Sequence, residues 1–191
     1  VTTKTFYLNE SKDFEIETAF TKISGEQDYG MSFLFDYDNK DNYREFGITA
    51  TGYYRVAESV DAAYSSIKKW TKDTSIKQGN YATNVLKIKK IGNRLTFFIN
   101  GTYVHGIDYK TFLGSKMGFR LYRNQQVGID YFRVKYSEST TTTNTNSTGK
   151  LILSESFENN YNGWAERNDS KVRLAIQNGE YIIDHKRDTR G

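Results

Sequence analysis

Short segments in which apolar and polar residues alternate recur roughly every ten residues over the first 136 residues of the chain. In one of them, Phe14 and Ile16 alternate with Glu15 and Glu17. A period of two places successive side chains on opposite faces of an extended strand, so such a segment buries one face only. No stretch of comparable length keeps the 3.6-residue period of an amphipathic helix. Many short strands without intervening helices favour a β-sandwich or barrel over an α/β fold.

The turns between these segments rest on glycine, asparagine and aspartate. The 191-residue chain has no proline, and Gly92-Asn93 and Asn100-Gly101 are two-residue hairpin signals. The 15 tyrosines and 12 phenylalanines suit a half-buried pleated surface. We predict a turn at 36–42, which is rich in Asp and Asn. We predict strands at 14–20, 31–35, 43–49, 53–60, 85–91, 95–99, 102–107, 117–122 and 127–136.

A polar stretch at 137–149 interrupts this pattern and is predicted to be a linker, because its Ser, Thr and Asn residues offer no hydrophobic anchor. Residues 1–136 thus form the main part of a sandwich. Strand signals return in residues 150–191, at 151–153, 172–176 and 179–183. A piece of about forty residues with three strands cannot bury enough apolar area to be stable alone.

Taken together, the chain resembles bacterial modules of the concanavalin A-like lectin/glucanase superfamily, in particular the laminin-G-like modules. Their opening, F-x-x-N-x-x-x-W followed by N-G-x-Y-x-I, is matched by Phe157, Asn160 and Trp164 and by residues 178–183. Their middle and closing strands are matched by residues 13–17, 29–33, 42–46, 98–101 and 128–134. The resemblance implies an antiparallel jelly-roll β-sandwich.

The order of these motifs is unusual, because the opening elements stand at the end of the chain. We interpret residues 150–191 as the opening strands of the next unit in a tandem repeat. Residues 1–136 alone would then expose sheet edges and core. We predict that the tail completes the sandwich, either within the same chain, which local concentration favours, or by strand donation to a neighbouring chain.

Composition excludes several classes of partner and site. The net charge is +4, and Lys and Arg alternate with Asp and Glu along most segments. The chain therefore has no basic cluster of the kind that binds nucleic acid. Without cysteine, disulfides and thiolate metal sites are impossible. No apolar run is long enough to insert in a membrane. No signal-peptide pattern is visible, so a targeting signal is expected upstream; we expect an extracellular or cell-surface protein.

Acidic residues raise two further possibilities. Asp13, Glu15 and Glu17 share one strand face, but the E-x-D-x-x-E spacing of the glucanases in the resembling superfamily is absent, so we predict no enzyme activity. Asp36, Asp38 and Asp41 cluster oxygen ligands that suit calcium. The alternative is that they only shape a turn, and we predict no required cofactor.

For a ligand site, lectin-like recognition pairs aromatic rings with polar side chains. Alternation predicts that Tyr43 and Glu45 point away from the core side of their strand, as do Arg120 and Tyr122. The alternative for any one tyrosine is half-buried packing. The predicted ligand-binding residues are Tyr43, Tyr53, Tyr54, Trp70, Arg120 and Tyr122.

The sequence therefore predicts a non-catalytic recognition module that binds a glycan or a protein partner, within a larger repeat-containing surface or secreted protein. The alternative is a structural or strand-exchanging repeat of an adhesin or filament, and a glycoside hydrolase-like enzyme comes third.

Overall fold

The computed structural model describes residues 1–137 and 149–187, and these form a two-sheet antiparallel β-sandwich. The described residues contain no helix, and hence none that could cross a membrane. The strands are β1 (Thr2–Thr5), β2 (Phe14–Gly25), β3 (Met31–Asn39), β4 (Asn42–Ile48), β5 (Tyr53–Val60), β6 (Ala63–Lys72), β7 (Thr83–Ile91), β8 (Arg94–Ile99), β9 (Thr102–Asp108), β10 (Lys116–Leu121), β11 (Gln125–Tyr136), β12 (Lys150–Glu155), β13 (Arg167–Asn168), β14 (Val172–Gln177) and β15 (Glu180–His185).

One sheet has six strands in the order β1-β10-β3-β4-β5-β6. The other has nine, in the order β13-β14-β15-β11-β2-β7-β8-β9, with β12 also paired to β11. The predicted all-β jelly-roll sandwich is therefore confirmed.

Apolar side chains from both sheets meet in one core. Phe20 and Phe119 lie 5.6 Å apart between ring centroids, and Phe46 and Phe97 lie 5.1 Å apart. Each pair joins one strand of each sheet, and the edge-to-face arrangement is the one that aromatic quadrupoles favour. The alternating pattern thus buries one face of each sheet and leaves the opposite faces to carry polar side chains.

The C-terminal strands complete the nine-stranded sheet within the same chain. β15 pairs with the first half of β11, and β12 pairs with its second half. Trp164 enters the core, with its ring 5.6 Å from that of Phe119 and 5.4 Å from that of Tyr181. The Tyr181 hydroxyl lies 2.9 Å from that of Thr2, which ties the tail to β1.

The predicted linker at 137–149 lies almost wholly outside the described residues. The assignment of 150–191 to the next repeat remains a prediction.

The structure departs from the predictions in its strands and in one turn, and the short strands β1 and β13 are not among the predicted segments. Strand β6 is not among the predicted segments, because it is an edge strand with mostly exposed side chains and therefore lacks an alternating pattern. The turn predicted at 36–42 is confined to Lys40 and Asp41, because β3 continues to Asn39 through two irregularities in its pairing with β4.

Candidate functional site

The outer face of the six-stranded sheet is concave. Trp70 belongs to the edge strand β6, and Gly30 lies directly before β3. The Trp70 indole ring nevertheless lies 3.2 Å from the position that a Cβ atom on Gly30 would occupy. In a flat sheet β3 and β6 would be about 14 Å apart. The sheet must therefore curl toward this side, and we call its outer surface, from β10 to β6, the concave face.

A buried carboxylate lies at the centre of the concave face. Glu45 has no exposed surface and forms ion pairs with Arg55 and Arg120, the latter at 3.3 Å. The Tyr122 hydroxyl accepts hydrogen bonds from Arg55 at 3.0 Å and from Arg120 at 3.1 Å, and it lies 3.3 Å from both Glu45 oxygens. Side chains from β4, β5 and the end of β10 thus form one closed network.

Aromatic rings surround the two guanidinium groups. The Arg55 guanidinium carbon lies 4.7 Å from the Trp70 ring centroid and 5.8 Å from that of Tyr64, whose hydroxyl accepts a hydrogen bond from Arg55 at 3.0 Å. The Arg120 guanidinium lies 4.1 Å above Tyr43. Cation–π contacts of this kind hold planar groups in place before any ligand arrives.

The charges of the network determine its protonation state. Burial alone would lower the pKa of Arg55, but Glu45, Tyr122 and Tyr64 together outweigh burial, and the pKa is raised. Burial, together with Glu45, raises the pKa of Tyr122 to about 12. At neutral pH the Tyr122 hydroxyl therefore keeps its proton and can both donate and accept.

Two buried polar atoms of the concave face have no hydrogen-bond partner among the described residues: Ser32 Oγ and Arg55 Nε. They share a row across the sheet, since Ser32 pairs with Gly47 and Gly47 pairs with Arg55. A Cβ on Gly47 would collide with the Ser32 hydroxyl. Buried polar groups are normally hydrogen-bonded, so two such groups in one row can accept a water molecule or a ligand as their partner.

A buried glutamine holds the ends of the strands that carry the site. Gln125 Nε2 donates to the carbonyl of Gly30 at 3.0 Å and to that of Tyr122 at 2.6 Å. Its Oε1 accepts from Lys22 Nζ at 2.8 Å. These bonds fix the start of β3 and the end of β10 relative to each other, close to Ser32 and Tyr122.

Four of the six predicted ligand-binding residues meet on the concave face: Tyr43, Trp70, Arg120 and Tyr122. Tyr53 lies on the same side of β5 as Arg55 and is 37% exposed, beneath the Lys72 ammonium at 5.2 Å. Tyr54 points the opposite way into the core, and its hydroxyl donates to the carbonyl of Val104 at 2.8 Å. We therefore leave Tyr54 out of the candidate site.

The six predicted ligand-binding residues do not include Ser32, Glu45, Arg55 or Tyr64, although Arg55 and Tyr64 were among the wider set of aromatic and arginine candidates. For Glu45 the signal was present, because alternation placed it on the outward side of β4. Tyr54 and Arg55 are adjacent, so burial of one implies that the other faces outward. Nothing in the local sequence indicates that these side chains meet Arg120 from a distant strand.

The three aspartates considered for calcium are not brought together. Asp36 is fully buried, with one oxygen paired to Arg44 at 2.7 Å and the other bound by the backbone N–H groups of Leu113 and Gly114. Asp41 pairs with Lys40 at the turn. Within residues 1–137 and 149–187, no group of three or more His, Asp or Glu side chains is arranged to hold a metal ion. The aspartate spacing instead serves an ion pair and a turn.

The acidic residues considered for catalysis lie on the outer face of the nine-stranded sheet. Glu17 pairs with Lys87 at 2.9 Å, and Glu15 pairs with Lys89 at 3.0 Å. Asp13 accepts from the backbone N–H of Gly92 at 2.7 Å. These contacts are cross-strand and turn contacts of the kind that stabilise sheets.

Comparison with known proteins supports the fold. No family model matches the chain, and no curated protein matches it. Among solved structures, a doubly substituted human galectin-16 is similar at a TM-score of 0.54 and 12% identity, over 70% of this chain and 94% of that one.

Two further solved structures are similar at lower scores. The carbohydrate-binding module CBM66 from Bacillus subtilis has a TM-score of 0.49 and 17% identity, over 62% of this chain and 71% of that one. A GH43 protein from Bacillus licheniformis has a TM-score of 0.47 and 14% identity, over 64% of this chain and 27% of that one. The resemblance to laminin-G-like modules in particular remains a prediction.

Proposed function

We propose that the concave face is a carbohydrate-recognition site and that the chain is a non-catalytic binding module. The observation that carries the proposal is the network of Glu45, Arg55, Arg120 and Tyr122. It lies beside Trp70 and contains a buried donor, Arg55 Nε, that has no partner in the part of the chain that the structure describes.

The chemistry of this face fits a sugar. Pyranose and furanose rings present C–H faces that pack on aromatic rings, and Trp70 is 39% exposed on the edge strand. Sugar hydroxyls need fixed hydrogen-bond partners, and the Arg120 guanidinium, which Glu45 and Tyr122 hold in place, has further N–H groups that can donate to them. Because these groups are already held in place, little conformational entropy is lost when a ligand binds.

A glycan array followed by isothermal titration calorimetry with the best ligand tests the proposal. We expect Trp70→Ala to weaken binding at least about tenfold, because the stacking surface is lost. Tyr103→Ala is the matched control, since Tyr103 is a 55% exposed aromatic residue on β9 of the other sheet. Binding that is lost equally in both variants, or an array without any ligand, would overturn the proposal.

The alternative function is a structural repeat that exchanges strands between chains. The favouring observation is that β12 and β15 both pair with β11, so the same strands from a neighbour could make the same pairs. Light scattering coupled to size exclusion tests this: a concentration-independent monomer argues against exchange, whereas only dimers or longer assemblies would support it.

We place hydrolysis behind both binding roles. The Glu45 carboxylate is engaged by two arginines, which suits holding these cations for a ligand better than exchanging a proton with one. Incubating the array's best glycan with the protein and finding no new reducing ends would support a binding role.

An extracellular or cell-surface setting remains part of the proposal.

A further inference from the structure

We infer that the concave face selects glycans that carry carboxylate groups, that is, uronate-type sugars. This inference rests on the proposed carbohydrate recognition and specifies its ligand class.

Charge on the concave face is unbalanced. Arg55, Arg120 and Lys72 all project from it, whereas Glu45 is the carboxylate that both arginines share. Lys72 contacts the Tyr53 ring and pairs with no carboxylate in the part of the chain that the structure describes. This set of four side chains therefore carries two more positive than negative charges.

The cations on the two outer faces differ in their contacts with carboxylates. On the outer face of the nine-stranded sheet, Lys87 contacts both Glu15 and Glu17, and Lys89 contacts Glu15. Arg133 and Lys135 lie directly across from Glu17 and Glu15, so the cations of this patch all stand beside a carboxylate. Lys72 thus offers an anion an ammonium group that has no carboxylate contact among the described residues, next to two guanidinium groups that share one carboxylate.

The unpaired atoms specify what kind of anion fits. Arg55 Nε can only donate, and Ser32 Oγ can donate from the same row of the sheet. A ligand carboxylate brings two coplanar acceptor oxygens, which planar guanidinium groups bind in a fixed geometry. A neutral hydroxyl could accept one of these bonds but would leave the excess positive charge uncompensated.

Access to these atoms requires Trp70 to move. Both atoms are buried, and the Trp70 ring lies over Gly30, two residues before Ser32 on the same face. Trp70 is on an edge strand and partly exposed, so its indole can shift without disturbing the core. The other tryptophan, Trp164, is buried among core rings, so a change in emission on binding reports on Trp70.

The test compares matched ligands that differ only in the carboxylate. The 191-residue protein is titrated by calorimetry and tryptophan fluorescence with a panel of uronate oligosaccharides. The controls are the same oligosaccharides after reduction of each carboxyl to a hydroxymethyl group. We expect the acidic forms to bind at least about tenfold more tightly, with a preference that falls as salt rises.

Two variants locate the effect. Ser32→Ala removes one of these two groups without removing a hydrogen bond between described residues, and we expect it to reduce the preference for the acidic form about threefold or more. Lys87→Gln is the control: it removes a positive charge from the opposite face and should leave the preference unchanged.

The outcomes separate this inference from the proposed function. If acidic and reduced glycans bind equally, the uronate selectivity is wrong while carbohydrate recognition stands. If neither form binds and the glycan array is also empty, the proposed function fails with it. If polyglutamate competes as strongly as the uronates, or Lys87→Gln lowers the preference as much as Ser32→Ala, binding is general anion attraction and the inference is overturned.

Discussion

Lys22 donates a hydrogen bond from Nζ to Gln125 Oε1 over 2.8 Å, and both side chains are almost wholly buried at one end of the sandwich. Lys22 also donates to the backbone carbonyl of Glu26 at 2.7 Å. Gln125 in turn bonds the carbonyls of Gly30 and Tyr122, beside the concave face. A buried cation therefore supports the geometry of the candidate site from behind.

Lys22 should make stability depend on pH. Burial lowers the pKa of Lys22 to about 8 from an ordinary value of 10.5, with Glu26 opposing the shift. Between these values the unfolded chain holds a proton that the folded chain has released, so stability rises with pH in this window. Urea denaturation gives the free energy of unfolding of the native protein and of Lys22→Met at each pH. We expect the native value minus the variant value to rise by about 2 to 3 kcal/mol from pH 8 to pH 10.5. A constant difference would contradict this.

Gly47 should tolerate no side chain while Ser32 stands opposite it. The Ser32 hydroxyl occupies the space into which a Cβ on Gly47 would project. We expect Gly47→Ala to destabilise the fold by about 1 to 2 kcal/mol through overpacking. In the double variant Gly47→Ala with Ser32→Ala, most of the lost stability should be recovered. If the changes in the free energy of unfolding of the two single variants simply add in the double variant, the Ser32 hydroxyl does not clash with a Cβ at position 47.

Trp164 should anchor the C-terminal strands. Its ring contacts Phe119, Phe157 and Tyr181, and its Nε1 donates to Glu155 at 3.0 Å. We expect Trp164→Ala to cost about 3 to 5 kcal/mol in the free energy of unfolding. Tyr161→Ala, at a 93% exposed position in the same segment, is the control and should change stability by less than about 0.5 kcal/mol.

Arg44 should be structural. It joins Asp36 at 2.7 Å and Glu58 at 3.1 Å, and its side chain is buried. Removing one partner of a buried pair leaves an uncompensated charge, so we expect Arg44→Ala to lower the free energy of unfolding by about 3 kcal/mol. An exposed pair gives the comparison: Arg94→Ala, opposite Asp108, should cost less than about 1 kcal/mol.

Calcium should leave thermal stability unchanged. Asp36 has both oxygens engaged by protein groups, and Asp41 is paired with Lys40. A ligand that binds only the folded state raises the melting temperature by mass action, so calcium and a chelator together test for a site. We expect melting curves in millimolar calcium and in chelator to coincide; a reproducible upward shift with calcium would restore the aspartates as candidate ligands.

Strand prediction succeeded where one face of a strand is buried. The segments at 14–20 and 85–91 alternate because their inward residues fill the core while their outward residues meet solvent. It failed for β6, whose side chains are mostly exposed and therefore follow no pattern. Trp70 was nevertheless predicted for the ligand site from its residue type, although the strand that presents it was not.

The sequence by itself determined the fold class and the side of the strand on which Tyr43, Glu45 and Arg120 lie. Alternation is a local property, because successive side chains must point to opposite faces. Only the tertiary structure decided that Glu45 meets Arg55 and Arg120, and that Tyr54 points into the core while Arg55 points to the concave face. Strand order and sheet curvature bring residues 45, 55 and 120 together, and both arise from packing between distant segments.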